Sequence, residues 1–244
     1  MIYGFIISAG SQTRFDSNVP KALSIIDLEH GLTVLDVNLN HLRKHCDKVY
    51  VVCSYKNEIY FSHIQDRIVI DSGLGCGDAV LKALESISIS EDDMCFIQWG
   101  DSFTSDNVYL ELIKNGTRKD VISIACEVST HPYTQIVPIS GLRLKVVYSK
   151  YGEGITAGFH DLSLFYGSAM YILTELQLFR NKIYSEEENC YIHPHGNEMQ
   201  FLDIFNDVEA QGSVVYVEDA KSFSFNTIEE LNNFMHGCKQ RESV

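Results

Sequence analysis

Arg14 and Lys21 are the two cations best placed to hold a chain of phosphates. Arg14 closes a loop of mostly small residues, Ser8-Ala9-Gly10-Ser11-Gln12-Thr13-Arg14, that directly follows the apolar run Tyr3-Gly4-Phe5-Ile6-Ile7. Lys21 comes after a short spacer, in Pro20-Lys21-Ala22-Leu23. Small residues after a buried strand let backbone N–H groups approach phosphate oxygens closely. A guanidinium and an ammonium supply the matching charge. An ordinary surface loop carries similar residues, but its cations need not follow the first strand at these separations. The spacing points to a grip for a nucleoside triphosphate.

Two further motifs have chemistry-bearing residues after apolar runs. Gly100-Asp101 follows Met94-Cys95-Phe96-Ile97, and an aspartate at a strand end beside a glycine suits Mg²⁺ held by few protein oxygens plus phosphates. Gly-Asp is also common in simple turns. Gly73-Leu74-Gly75-Cys76-Gly77-Asp78-Ala79 follows Arg67-Ile68-Val69-Ile70, with Asp78 placed to meet a ligand or to cap the next helix. Near the C-terminus, Phe225-Asn226-Thr227-Ile228-Glu229-Glu230-Leu231 reads as a helix start, capped by Asn226 or Thr227 with acids in the first turn. His193-Pro194-His195 reads as a loop, because the proline separates the histidines and a third ligand is missing.

The elements that must position these residues alternate. Strands are expected at 3–7, 49–53, 67–70, 94–97 and 121–124, with helices at 35–44, 79–86 and 108–114 between them. That order predicts an α/β fold with a mostly parallel sheet covered by helices. From about residue 133 the pattern changes to a meander of strands at 135–138, 142–148 and 163–171 around an irregular loop. Helices are expected at 173–179, 198–211 and 227–236, and a late strand at 213–218. The change reads as a lobe at about 131–200 inserted within a single domain of 1–244. In open α/β sheets, ligands bind outside the carboxyl ends of the strands. Gly10, Gly73 and Asp101 all follow strands directly, so one edge should gather all three motifs.

Composition narrows the partners. The 244 residues are 45% hydrophobic, enough for a substantial core, and the net charge of −14 argues against nucleic acid. No apolar run is long enough to span a bilayer, so membrane insertion is not expected. The first apolar run is only about five residues and has no cationic flank, unlike a secretory leader. The seven cysteines include no C-x-x-C pair, which suits reduced thiols in a cytoplasmic protein. A homo-oligomer is compatible with this composition.

The motifs together resemble the sugar nucleotidyltransferase family, of cytidylyltransferase-like type. That family opens with an apolar strand, A-A-G-x-G-T-R, a spacer and P-K-x-L. The resemblance runs from Ile2 to Leu231 and is loose between about 131 and 200; Gln12 stands where the family has its second glycine. It implies a nucleotide-diphospho-sugar transferase fold, a Rossmann-like three-layer α/β/α sandwich whose inserted lobe binds the acceptor. It implies transfer of an NMP group, CMP first and UMP second, from a nucleoside triphosphate to a phosphorylated acceptor, with release of pyrophosphate. The acceptor would be a sugar phosphate or a small phosphorylated alcohol or amine of surface-polysaccharide synthesis.

By the same resemblance, residues 8–14 bind the nucleotide together with Gly75, Gly77 and Asp78, which lie where family members pack the base and ribose. Arg14 would hold the β- and γ-phosphates. Lys21 would neutralise the α-phosphate and the incoming acceptor phosphate. Asp101 and Asn226 would hold Mg²⁺, and Glu153 would contact the acceptor. The family's E-K-P signature is absent, with Val147-Tyr148-Ser149-Lys150 near its place. Two alternatives remain open. Asp71-Ser72-Gly73-Leu74-Gly75-Cys76-Gly77 also resembles the D-x-G-x-G-x-G loop of S-adenosylmethionine-dependent methyltransferases, a reading that leaves the first twenty-three residues without a role. The other is a nucleotide-binding protein that does not turn over.

Overall fold

The computed structural model describes residues 1–10, 19–70, 74–152, 154–194, 196–225 and 227–241. Nine strands form the main sheet. They are β1 (Ile2–Ile7), β2 (Lys48–Ser54), β3 (Arg67–Ile70), β4 (Met94–Trp99), β5 (Ile122–Ser129), β6 (Thr134–Ser140), β7 (Arg143–Tyr148), β8 (Gly158–Ser168) and β9 (Gly212–Tyr216). The helices are α1 (Val34–His45), α2 (Cys76–Glu85), α3 (Asp106–Asn115), α4 (Ala169–Ile183), α5 (Asp203–Asp207) and α6 (Ile228–Arg241).

The path through the sheet is β7-β6-β8-β4-β1-β2-β3, with β5 on the other edge of β8 and β9 beyond β5. Strands β3, β2, β1 and β4 pair in parallel, as do β5 and β9. Strand β8 is antiparallel to β4, β5 and β6, and β7 is antiparallel to β6. Seven of the nine strands therefore run with β1, and β7 and β8 run against it.

Side-chain alternation divides the core into two layers. Tyr3, Phe5 and Ile7 of β1 face one layer, packed by Leu81 and Leu84 of α2 and by Ile172, Leu176 and Phe179 of α4. Ile6 faces the other, with Leu35, Leu39 and Leu42 of α1 and Val108 and Leu112 of α3. The fold is thus the expected three-layer α/β/α sandwich. Capping fixes the helix starts. Thr33 and Asp36 form a reciprocal capping box at α1, and Thr227 and Glu230 form another at α6. No helix among the described residues is long and apolar enough to cross a membrane.

Several expectations need correction. The span 198–211 is helical only at Asp203–Asp207, because the chain before it is held extended by Met199 N–H to Leu74 O and Gly77 N–H to Met199 O, both 2.8 Å. The strand expected to reach 171 ends at Ser168, whose hydroxyl caps α4 by accepting from Tyr171 N at 3.3 Å. Short pairs went unread in the sequence, among them Ser102–Thr104 against Ser222–Ser224.

Candidate active site

The carboxyl edge of the parallel strands gathers the three motifs. Ser8 N donates to Val52 O at 2.8 Å and Gly100 N donates to Ile7 O at 2.9 Å, so the chain leaves β1 between the ends of β2 and β4. Gly100 is required by this closeness: a Cβ there would lie 2.1 Å from Ser8 Oγ. Above the edge lies a cleft of about 600 Å³, whose wall includes Ser8, Ala9, Gly10, Lys21, Gly75 and Asp101. Ser8 Oγ is buried against Gly100 and has no hydrogen-bond partner among the described residues.

Lys21 opens a short turn of helix, Lys21–Leu23, behind Pro20, whose φ of −54° suits that entry. Its Nζ lies 3.3 Å from Asp101 Oδ2 and donates to Phe225 O at 3.4 Å. Phe225 N in turn donates to Asp101 O at 3.4 Å. One lysine therefore joins the first loop, the end of β4 and the segment before α6. Asn226, the other expected metal ligand, lies outside the described residues, although its neighbour Phe225 is bonded to Asp101. Among the described residues no group of three or more His, Cys, Asp or Glu is arranged to hold a metal ion. A lone carboxylate still fits Mg²⁺ where a ligand brings phosphates, since the ion takes one or two protein carboxylates and completes its shell with phosphates and water.

The glycine segment packs closely against residues 199–200. Gly75 adopts φ +100°, and a Cβ there would lie 2.4 Å from Met199 O; at Gly77 the same contact would be 2.9 Å. Gly75 lines the cleft, whereas Gly77 faces the backbone of Met199 and is not part of the cleft wall. Asp78 is buried, accepts from Tyr191 Oη at 2.6 Å and pairs with Lys82 at 2.8 Å. Helix α2 is capped at Gly75 without a side-chain bond, so Asp78 is not its cap. Asp78 stands in the cleft wall with both carboxylate oxygens engaged.

The other side of the cleft comes from β6, β7 and β8. Tyr133, Tyr148, Lys150, His160 and Asp161 line it. Lys150 Nζ sits 4.5 Å over the Tyr151 ring, a cation–π contact that aims the ammonium along the wall. His160 Nδ1 lies 3.2 Å from Thr134 O, so that nitrogen carries the proton and Nε2 is left for other contacts. Trp99 packs on Phe165 and Phe201, with ring centroids at 5.2 and 5.7 Å, and floors the cleft. The sequence reading gave no role to Trp99, Lys150 or His160. The single tryptophan directly before Gly100-Asp101 was the available signal. His193, read as a loop residue, is buried with Nε2 3.0 Å from Asp207 and Nδ1 3.6 Å from Asp203, within a structural network and away from the cleft wall. Ser11, Gln12, Thr13, Arg14 and Glu153 lie outside the described residues.

This sheet order, with a glycine-bearing loop after β1 and a cleft across the strand ends, is the nucleotide-diphospho-sugar transferase fold. HddC of Yersinia pseudotuberculosis, in a crystal structure complexed with GMP-PN, superposes with TM-score 0.69 over 98% of this chain and 100% of its own, at 16% identity. A second HddC structure gives TM-score 0.67 at the same identity and coverage. A Bacillus anthracis protein assigned as a glucose-1-phosphate thymidylyltransferase, in complex with a sucrose, gives TM-score 0.72 at 11% identity over 98% of this chain and 96% of its own. No protein-family model and no curated protein matches the sequence.

Proposed function

We propose that this chain is a nucleotidyltransferase that transfers an NMP group from a nucleoside triphosphate to a phosphorylated acceptor and releases pyrophosphate. The observation that carries the reading is Lys21, buried in the cleft and joining the first loop to Asp101 and Phe225. A phosphate monoester is largely dianionic at neutral pH and needs no general base. Its oxygen attacks the α-phosphorus in line, a new P–O bond forms, and the bond to the pyrophosphate oxygen breaks. The protein's part is alignment and charge neutralisation.

In this reading the Ser8–Gly10 backbone and Arg14 receive the triphosphate, with residues 11–13 completing the loop. Lys21 moves its N–H bonds onto the α-phosphate and the acceptor phosphate. Asp101 and Asn226 would hold Mg²⁺, which neutralises charge on the phosphates when bound. Gly75 and Leu74 offer the base a wall, and Glu153 and Lys150 would contact the acceptor. CTP is the first donor to test and UTP the second, the order that the cytidylyltransferase-like resemblance implies; surface-polysaccharide synthesis is the matching setting. The methyltransferase alternative loses support because the faces of Gly75 and Gly77 are filled by Met199.

A pyrophosphate-release screen of four nucleoside triphosphates against phosphorylated acceptors tests the proposal. Mg²⁺-dependent stabilisation by a nucleotide without any release would identify a non-catalytic binder. Stabilisation by S-adenosylmethionine alone would restore the methyltransferase.

A further inference from the structure

Strand β8 has one edge shared by two partners. Phe159 and His160 pair with β6, and Leu164–Ser168 pair with β4, while β5 runs along the opposite edge of both stretches. Between them the register breaks, and Ser163 takes φ +62°, which a non-glycine residue adopts at a cost. The gap opens a second cavity of about 180 Å³, which shares His160, Asp161, Ser163 and Ser224 with the main cleft. Its remaining wall includes Ser102, Glu127, Ser222 and Phe223.

The charge in this cavity is lopsided. Among the described residues it is lined by two carboxylates and by no lysine or arginine. Asp161 is only 7% exposed. Its Oδ1 accepts from Ser163 N at 3.1 Å, and among the described residues it forms no ion pair with a lysine or arginine. Burial pushes its pKa up, and the neighbouring His160 pulls it down by less. A carboxyl kept in such a place without a lysine or arginine partner weakens the fold unless a ligand brings a permanent countercharge. Among the described residues the lysines of the cleft, Lys21 and Lys150, line the main cavity and not the small one.

We propose that the acceptor is a phosphate monoester bearing an ammonium group, its phosphate toward Lys21 and its ammonium in the small cavity against Asp161. This rests on the nucleotidyltransferase reading and adds the acceptor's chemical class. Serine hydroxyls of the wall take the remaining N–H bonds. Among the described residues the wall has one Phe, Tyr or Trp ring, Phe223, so it suits a primary ammonium better than a quaternary one, which is recognised by a cage of several such rings. Aminoalkyl phosphates and amino-sugar phosphates belong to this class; neutral polyol phosphates do not.

The test uses the full chain and matched acceptors: 2-aminoethyl phosphate against 2-hydroxyethyl phosphate, and glucosamine 1-phosphate against glucose 1-phosphate. Calorimetric titration without nucleotide reads binding apart from turnover. At least one amine should bind about tenfold or more tightly than its hydroxyl partner, and Asp161→Asn should erase that preference. Equal binding within both pairs, or a preference that survives Asp161→Asn, overturns the inference. The wild-type comparison needs no variant, so a poorly folded Asp161→Asn leaves it decisive. Amine preference in binding without pyrophosphate release under any nucleotide would instead count against the nucleotidyltransferase reading alone.

Discussion

Lys21 Nζ stands 3.3 Å from Asp101 Oδ2 across 80 positions of sequence, and the two side chains are unequally wet, 10% exposed for the lysine and 36% for the aspartate. The lysine is thus held inside the wall while the aspartate keeps a face toward the cleft. On the proposed function, the cation for the α-phosphate and the carboxylate for the metal neutralise each other in the resting site. A triphosphate arriving with its ion would satisfy both at once, the phosphate replacing Asp101 for Lys21 and the ion replacing Lys21 for Asp101.

The first prediction follows from that asymmetry. Lys21→Ala should lower kcat by about 10²–10³-fold, the range seen when one donor to a developing anion is lost. Lys21→Arg should recover little, since the fork does not fit a point-charge site. Melting should separate the partners. Asp101→Ala strips the countercharge from a buried lysine and should destabilise by about 1–3 kcal/mol, whereas Lys21→Ala leaves a partly solvated aspartate and should cost less. Denaturant titration of both variants decides the order. A near-normal kcat in Lys21→Ala would remove the lysine from the reaction.

The metal gives the second. Asp101→Ala should abolish turnover, Asn226→Ala should raise the Mg²⁺ concentration for half-maximal rate, and Asn226→Asp should be tolerated because it adds a hard anionic ligand. Mg²⁺ titrations of rate in the three variants check this. An unchanged requirement in both alanine variants would place the ion elsewhere.

Two glycines separate packing from ligand approach. At Gly75 an added Cβ would strike Met199 O and sit on a backbone at φ +100°, so Gly75→Ala should destabilise by about 1–3 kcal/mol. At Gly10 an added Cβ meets nothing within 4 Å among the described residues. Gly10→Ala should leave the melting temperature unchanged yet weaken triphosphate binding, because the methyl group takes the space that a phosphate oxygen needs. Thermal melts with and without nucleotide read both effects.

What could be read from the sequence was local. The apolar runs at Tyr3-Gly4-Phe5-Ile6-Ile7 and Val49-Tyr50-Val51-Val52-Cys53, and the helix between them, carry their own periodicity. The gathering of Gly10 and Asp101 at one edge followed from strand order alone, and Gly73, expected with them, lies outside the described residues. The misread places depend on distant partners. Residues 198–202 lose helix to backbone bonds with Leu74 and Gly77, and Asp78 is claimed by Tyr191 at 113 positions' separation. The bulge that buries Asp161 arises because β4 and β6 share one edge of β8, and no window of β8 sequence records that competition.

Asp161 supplies the last prediction. Its folded pKa is raised, chiefly by desolvation, with His160 acting in the opposite direction. An acid with a raised folded pKa binds more protons when folded, so its burden on stability is absent below the unfolded value near ~4 and grows as the pH climbs through the folded value. Asp161→Asn keeps an oxygen to accept from Ser163 N and removes the charge. The variant should therefore melt above the wild type at pH 7–8, by about 2–4 °C for each kcal/mol of relieved desolvation, and the two curves should converge as the pH falls toward ~4. Melting temperatures of both proteins across pH 4–8 check this. A variant less stable than wild type at neutral pH would mean that Asp161 is already compensated within the fold, and the cost would then no longer argue for a cationic ligand.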